Sequence, residues 1–252
     1  MILDGHTHVG VWNEPSFSGR ATDLADAVEV LAATGVRGAL TMPTDQADNA
    51  GLLAAIESRD PSAAVGFRLC AWIDPRSEDN LEWIRQHASR IAGLKVHPSL
   101  VRTRPDDARY VPFLELAAQH GLPVLLHCGR WQEMSSYRFG VDLAQAHPAV
   151  AFILCHMGGD STDLIEATVD ALVAPGAPDN VWLGTESIRQ YWSVQHAVDR
   201  LGPARLIFGS DYNLNHPGSF LAVIDALKLD ASGRAAILGS NLNGLLPAAH
   251  RF

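Results

Sequence analysis

The sequence predicts an α/β protein built as a single (β/α)8 (TIM) barrel over residues 1–252, and three observations predict it. Short β-rich runs alternate with helical segments along the whole chain, they recur at about 30 residues, the length of one βαβ unit, and 252 residues is the usual size of such a barrel. The apolar runs are residues 2–8, 36–42, 65–72, 93–97, 123–127, 150–156, 181–186 and 205–211, rich in Val, Ile and Leu. Between them lie Ala- and Leu-rich segments with helical spacing, such as 23–34, 79–91, 107–120, 162–173 and 219–227, several opening at a Ser, Thr or Asp able to cap. Pro175, Gly176 and Pro178 mark a loop rather than a domain boundary, because the alternation resumes at once.

Composition excludes several function classes. With 47% hydrophobic and 19% charged residues the chain is too apolar to be disordered. A net charge of −9 with no basic run argues against a nucleic-acid partner. The longest apolar stretches, 122–126 and 150–154, fall far short of the roughly 20 residues that span a bilayer. The N-terminal MILDGHTHVG carries no basic region before an apolar one, so no secretory signal is expected. Cys70, Cys128 and Cys155 are odd in number and lie in apolar runs, which reads as reduced thiols in a cytoplasmic protein.

In this architecture chemistry sits at the C-terminal ends of the strands. The first run closes Asp4-Gly5-His6-Thr7-His8, where period-two alternation places Asp4, His6 and His8 on one face. The fourth closes Lys95-Val96-His97-Pro98, the fifth His127-Cys128-Gly129, the sixth His156-Met157-Gly158-Gly159, and the eighth Gly209-Ser210-Asp211-Tyr212. Each puts a polar group where the pattern alone would put Val or Leu.

On these residues the sequence resembles the amidohydrolase superfamily, in particular the amidohydrolase 2 branch that includes aminocarboxymuconate-semialdehyde decarboxylase-like enzymes. HxH, KxHP, LHCG, HxGG and GSDY occur in the expected order over the whole chain. The resemblance implies that His6, His8, His127 and Asp211 coordinate one divalent metal, usually zinc, and that His156 contacts substrate or metal-bound water. A second metal bridged by carboxylated Lys95, as elsewhere in the superfamily, is the lesser alternative. Physical chemistry agrees: imidazoles with a carboxylate suit zinc, and a catalytic zinc activates water near neutral pH. Asp211 and His156 are then the catalytic pair, the carboxylate taking a proton and the imidazole stabilising or protonating the departing group. Asp4 is expected behind the ligands.

Among substrate contacts Arg130 stands out, because a guanidinium just after His127-Cys128-Gly129 can grip a carboxylate bidentately. Lys95 and His97 are assigned to the same role, with a hydrogen-bonded core histidine as the competing reading of His97. His87, His120, His147, His196 and His250 lie on helices or near their ends and read as solvated. Cys128 and Cys155, adjacent to ligand histidines, are expected to point away toward the helices.

Taken together, the sequence reads as a metal-dependent hydrolase of a lactone, amide or related bond in a small, anionic substrate. The alternative is a metal-dependent non-oxidative decarboxylase of an unsaturated or aromatic acid, and a catalytically silent metal-binding barrel is a third reading. Little chain remains beyond the barrel, so the mouth loops are short, which leaves room for a homo-oligomer in which a second copy completes the mouth.

Overall fold

The structure is a computed structural model that describes residues 1–252 apart from Ser18 and Pro61. Its centre is a curled, mostly parallel sheet of nine strands: β1 (Ile2–Val11), β2 (Ala21–Thr22), β3 (Val36–Pro43), β4 (Gly66–Trp72), β5 (Gly93–Val96), β6 (Val124–Leu126), β7 (Phe152–Leu154), β8 (Val181–Gly184) and β9 (Leu206–Ile207). The order is β2-β1-β3-β4-β5-β6-β7-β8-β9, and among the described residues only the β1–β2 pair is antiparallel. Helices Leu24–Ala33, Asn49–Glu57, Glu78–His87, Val111–His120, Tyr137–Ala146, Thr162–Val173, Tyr191–Leu201 and Pro217–Asp225 connect the strands or follow the last of them. Local chemistry sets their starts: Asp23 forms a capping box with Asp26, and the Ser77 hydroxyl accepts from Asn80 N. No helix among the described residues is long and apolar enough to cross a membrane.

Parallel strands covered on both faces read as continuous apolar runs, and alternation divides them between two cores. Leu40, Met42, Cys70, Leu125, Ile153 and Ile207 fill the concave interior together with Leu3. Ala39, Val96, Val124, Leu126, Phe152 and Leu154 face the helices. The C-terminal helices cap the end away from the candidate site, where Asn241 Nδ2 donates to Pro203 O (2.8 Å) and Leu206 O (2.7 Å).

The pairing of β1 corrects the strict alternation expected for its motif. Asp4 pairs with Ala39 but Thr7 with Thr41, so three steps on β1 match two on β3. This bulge reverses the faces: Leu3 lies inside before it, and His8, paired with the inward-facing Met42, lies inside after it. Asp4 therefore shares the outer side with Ala39 and is not on the face of His6 and His8.

Two expected strands are also shorter than their apolar runs. Residues 150–156 are extended only over Phe152–Leu154, because His156 and Met157 adopt left-handed conformations (φ 55° and 54°) in the turn Cys155–Gly158. Residues 205–211 form ladder pairs only at Leu206–Ile207. Beyond them the chain bonds to β1: Gly5 N donates to Phe208 O (2.8 Å), Asp211 N to His6 O (2.9 Å), and His8 N to Tyr212 O.

The helix Tyr137–Ala146 lies close on the sheet at Gly140, where an added methyl would sit 2.3 Å from Leu154 Cδ2 and 3.2 Å from Leu126 Cδ2. Gly140→Ala is therefore expected to lower stability by about 1–3 kcal/mol through overpacking, despite alanine's better helix propensity. Urea denaturation should show a lower midpoint at unchanged slope. A variant as stable as the parent would mean that the helix can move away freely.

Candidate metal and substrate site

The bulge and the last strand's chain bring His6, His8 and Asp211 together at one end of the sheet. His6 Nε2 and His8 Nε2 are 3.2 Å apart, and Asp211 Oδ1 lies 3.6 Å from each. All three side chains are buried. The other nitrogen of each imidazole is committed: His6 Nδ1 donates to Glu186 Oε1 (2.9 Å) and His8 Nδ1 to the Pro43 carbonyl (3.0 Å). Because both acceptors lack a proton, each Nε2 of the neutral rings presents a lone pair to the other. Burial, then the charge of Lys95, holds His6 below its ordinary pKa, and burial, then the repulsion that protonating both adjacent rings would create, lowers His8 to about 3.

Two lone pairs and a carboxylate oxygen converge here, and Lys95 Nζ, 3.3 Å from His6 Nε2, offsets part of their mutual repulsion from one side. Tetrahedral ligands at about 2.0–2.1 Å from zinc stand about 3.3 Å apart, close to the separations seen here. The donor set therefore fits a divalent ion.

Glu186, two residues past β8, is one of several polar residues that follow a strand, and it is the main support of this group. Its Oε1 also accepts from His156 N (3.1 Å), so one carboxylate oxygen fixes both imidazole-bearing segments. Burial works against its charge, but attraction to the His6 ring and its Nδ1–H hydrogen bond, then His156, hold its pKa below the ordinary value. Gly184 and Gly209 make room for it: methyl groups there would fall 2.4 and 2.9 Å from Glu186 Oε2. The usable signal is the pair of glycines, one ending β8 and one just past β9, around a strand-end carboxylate.

A second histidine group lies beside the first. The His156 Nδ1–H donates to Glu186 O (3.2 Å), which leaves Nε2 to accept from His127 Nδ1 (3.1 Å) and gives His127 a free Nε2. His127 stacks on His97 at 3.7 Å between ring centroids, and His97 stacks on Trp72 at 5.5 Å. Burial, then neighbouring charges, puts His97 and His127 well below their ordinary pKa. The structure thus joins His127 to His156 and does not place it in the close set of His6, His8 and Asp211.

His156 reaches the mouth through its left-handed turn, and Gly158 permits that turn. Gly158 has φ +85°, and a methyl on it would meet Thr168 Oγ1 at 2.3 Å. The same turn corrects the reading of Cys155, which faces the inner core and takes a hydrogen bond from Lys95 Nζ (3.3 Å), while Cys128 faces the helices. Lys95, 0% exposed, also lies 3.3 Å from His6 Nε2.

A cleft of about 370 Å³ opens above the group, lined by His127, His156, Ser187, Asp211 and Asn215, with Arg20 and Arg189 at its rim. Arg130 is not among the lining residues. Its side chain is 78% exposed, and its Nε donates to Oδ2 of Asp160 (2.7 Å), which does line the cleft. A larger cavity, about 530 Å³, lies at the opposite end near Val65, Phe67 and His250, remote from this chemistry.

This fold and site place the chain in a known class: it belongs to the Amidohydrolase family, whose profile it matches over residues 3–241. Among solved structures it is similar to 5-carboxyvanillate decarboxylase from Sphingomonas paucimobilis (15% identity, TM-score 0.74, covering 97% of this chain and 98% of that one). It is likewise similar to a dihydroxybenzoic acid decarboxylase from Polaromonas sp. JS666 with bound manganese (16%, TM-score 0.74, 97% and 96%). A candidate 2-pyrone-4,6-dicarboxylic acid hydrolase from Pseudomonas putida also matches (20%, TM-score 0.71, 97% and 96%). No curated protein matches the chain. The expectation that placed hydrolysis first is corrected: four of the similar structures are decarboxylases.

If Glu186 sets the tautomer and basicity of His6, Glu186→Gln should weaken divalent-metal binding about 10- to 100-fold. Competition with a chromophoric chelator measures this, and unchanged affinity would assign Glu186 a packing role only.

Proposed function

We propose that the protein is a metal-dependent non-oxidative decarboxylase of a small aromatic or unsaturated carboxylic acid, working within a closed (β/α)8 barrel. The observation that carries the metal is the convergence of two imidazole lone pairs and a carboxylate oxygen beneath a small cleft. Hydrogen bonds from the last strand's chain to β1 at Gly5, His6 and His8 support the closure. His6, His8 and Asp211 would hold one divalent ion, zinc by donor type, with His127 Nε2 a further donor facing the cleft. Lys95, in contact with Cys155 Sγ, remains unmodified in this reading. Three buried free thiols support a cytoplasmic setting.

When bound, the ion would anchor the carboxylate and a neighbouring oxygen and draw off negative charge. Arg20 and Arg189 attract an anion to the rim. As the C–C bond breaks, CO₂ leaves, its bonding electrons stay on the substrate carbon, and a proton takes its place. Asp211 and His156 line the cleft and are assigned to move that proton. Burial opposes the charge of Asp211, but His6, His156, His8 and the Ser187 hydroxyl keep its pKa below the ordinary value, so it stands ionised and serves as a relay for a proton that comes from solvent through the cleft.

Elemental analysis should find one divalent ion per chain, lost in the combined His6→Ala and His8→Ala variant while the circular dichroism spectrum is kept. Metal retained by that variant would remove these residues from the site. A panel of aromatic and unsaturated acids should yield a substrate that releases CO₂, with deuterium from D₂O at the vacated carbon and no ¹⁸O from labelled water in the organic product. Incorporation of ¹⁸O without CO₂ release would restore hydrolysis.

A further inference from the structure

Ser187 lies on the loop after β8, and its backbone occupies the left-handed region (φ 63°) that non-glycine residues rarely adopt. Asp211, after β9, does the same (φ 61°). Such conformations persist only where the surroundings enforce them, and here the two face each other across a hydrogen bond. Ser187 Oγ donates to Asp211 Oδ2 (2.8 Å), and Asn215 Nδ2 donates to Ser187 Oγ (3.1 Å). With the amide supplying its hydrogen to the hydroxyl, the hydroxyl proton is directed at the carboxylate.

A carboxylate that turns freely about its Cβ–Cγ bond offers two equivalent oxygens. The Ser187 hydroxyl removes that equivalence by engaging Oδ2, which leaves Oδ1 facing His6 Nε2 and His8 Nε2 at 3.6 Å from each. Backbone bonds from Leu214 N (2.9 Å) and Asn215 N (3.1 Å) to Asp211 O bring the Asn215 side chain back over the same group.

We propose that Ser187, itself oriented by Asn215, is a positioning residue that fixes the rotation of the Asp211 carboxylate and presents one oxygen, Oδ1, to a divalent cation. The proposal rests on the metal reading above. It is tested with zinc and the intact chain after chelator stripping, comparing the parent with Ser187→Gly, Ser187→Ala and Asn215→Ala. Zinc affinity is measured by chelator competition, and thermal unfolding of the metal-free proteins is measured alongside. Glycine takes the left-handed backbone without strain, so Ser187→Gly isolates the hydroxyl. Both Ser187 variants should bind zinc about tenfold more weakly, Asn215→Ala should lose less, and the metal-free unfolding midpoints should stay with the parent's. If Ser187→Gly binds zinc as the parent does, whether or not Ser187→Ala is weakened, the hydroxyl does not position Asp211 and the proposal falls. A parent that binds no zinc or other divalent ion overturns the metal reading first, an outcome distinct from the variants matching a zinc-binding parent.

Discussion

A single buried oxygen, Asp4 Oδ1, holds the turn of chain on which the site depends. It accepts from His6 N (3.1 Å) and Ser210 N (2.9 Å), so it stabilises the bulge in β1 and ties that bulge to the segment carrying Asp211. Without the extra residue the inward faces of β1 would continue on odd numbers, and Thr7 rather than His6 and His8 would face the interior. The arrangement costs something: burial raises Asp4 to about 7, and its Oδ2 has no partner among the described residues.

From that constraint follows a division of labour between charge and neutrality. The carboxylates of Glu186 and Asp211 are kept ionised by donors around them, while the four imidazoles His6, His8, His97 and His127 are kept neutral by burial. Neutral rings are the ligand form, and each ring's second nitrogen decides which lone pair remains available. The hydrogen bonds to Glu186 and to the Pro43 carbonyl therefore aim the two Nε2 atoms as well as supporting the rings.

The eight strand-and-helix units were legible because a strand buried on both faces leaves an uninterrupted apolar run, and a polar residue closing that run stands out. What alternation cannot report is register. The bulge at Gly5-His6 moved Asp4 to the other face, and the left-handed turn at His156 sent Cys155 inward. The hairpin strand Ala21–Thr22 is too short to leave a periodic signal. Glu186 was visible only as one polar residue among several after a strand, since its partner is 180 positions away. The ion pair of Arg130 with Asp160, a residue of the cleft wall, is likewise formed through space, and adjacency to a histidine motif gave no hint of it.

Cys155 and His156 are neighbours in sequence but occupy different surroundings, one in the dry interior against Lys95, the other on the wall of the cleft. The floor of the site is a layer of side chains that includes Lys95, level with Leu125 and Ile153 across the ladder, and Cys155, one inward position beyond Ile153. Depth and breadth of the cleft are thereby separable in sequence. A deeper cleft requires exchange of side chains in that one layer, whereas a broader one requires new loops between strands and helices. Divergence among proteins of this shape is free to proceed along the second route while the floor, and whatever it supports, stays the same.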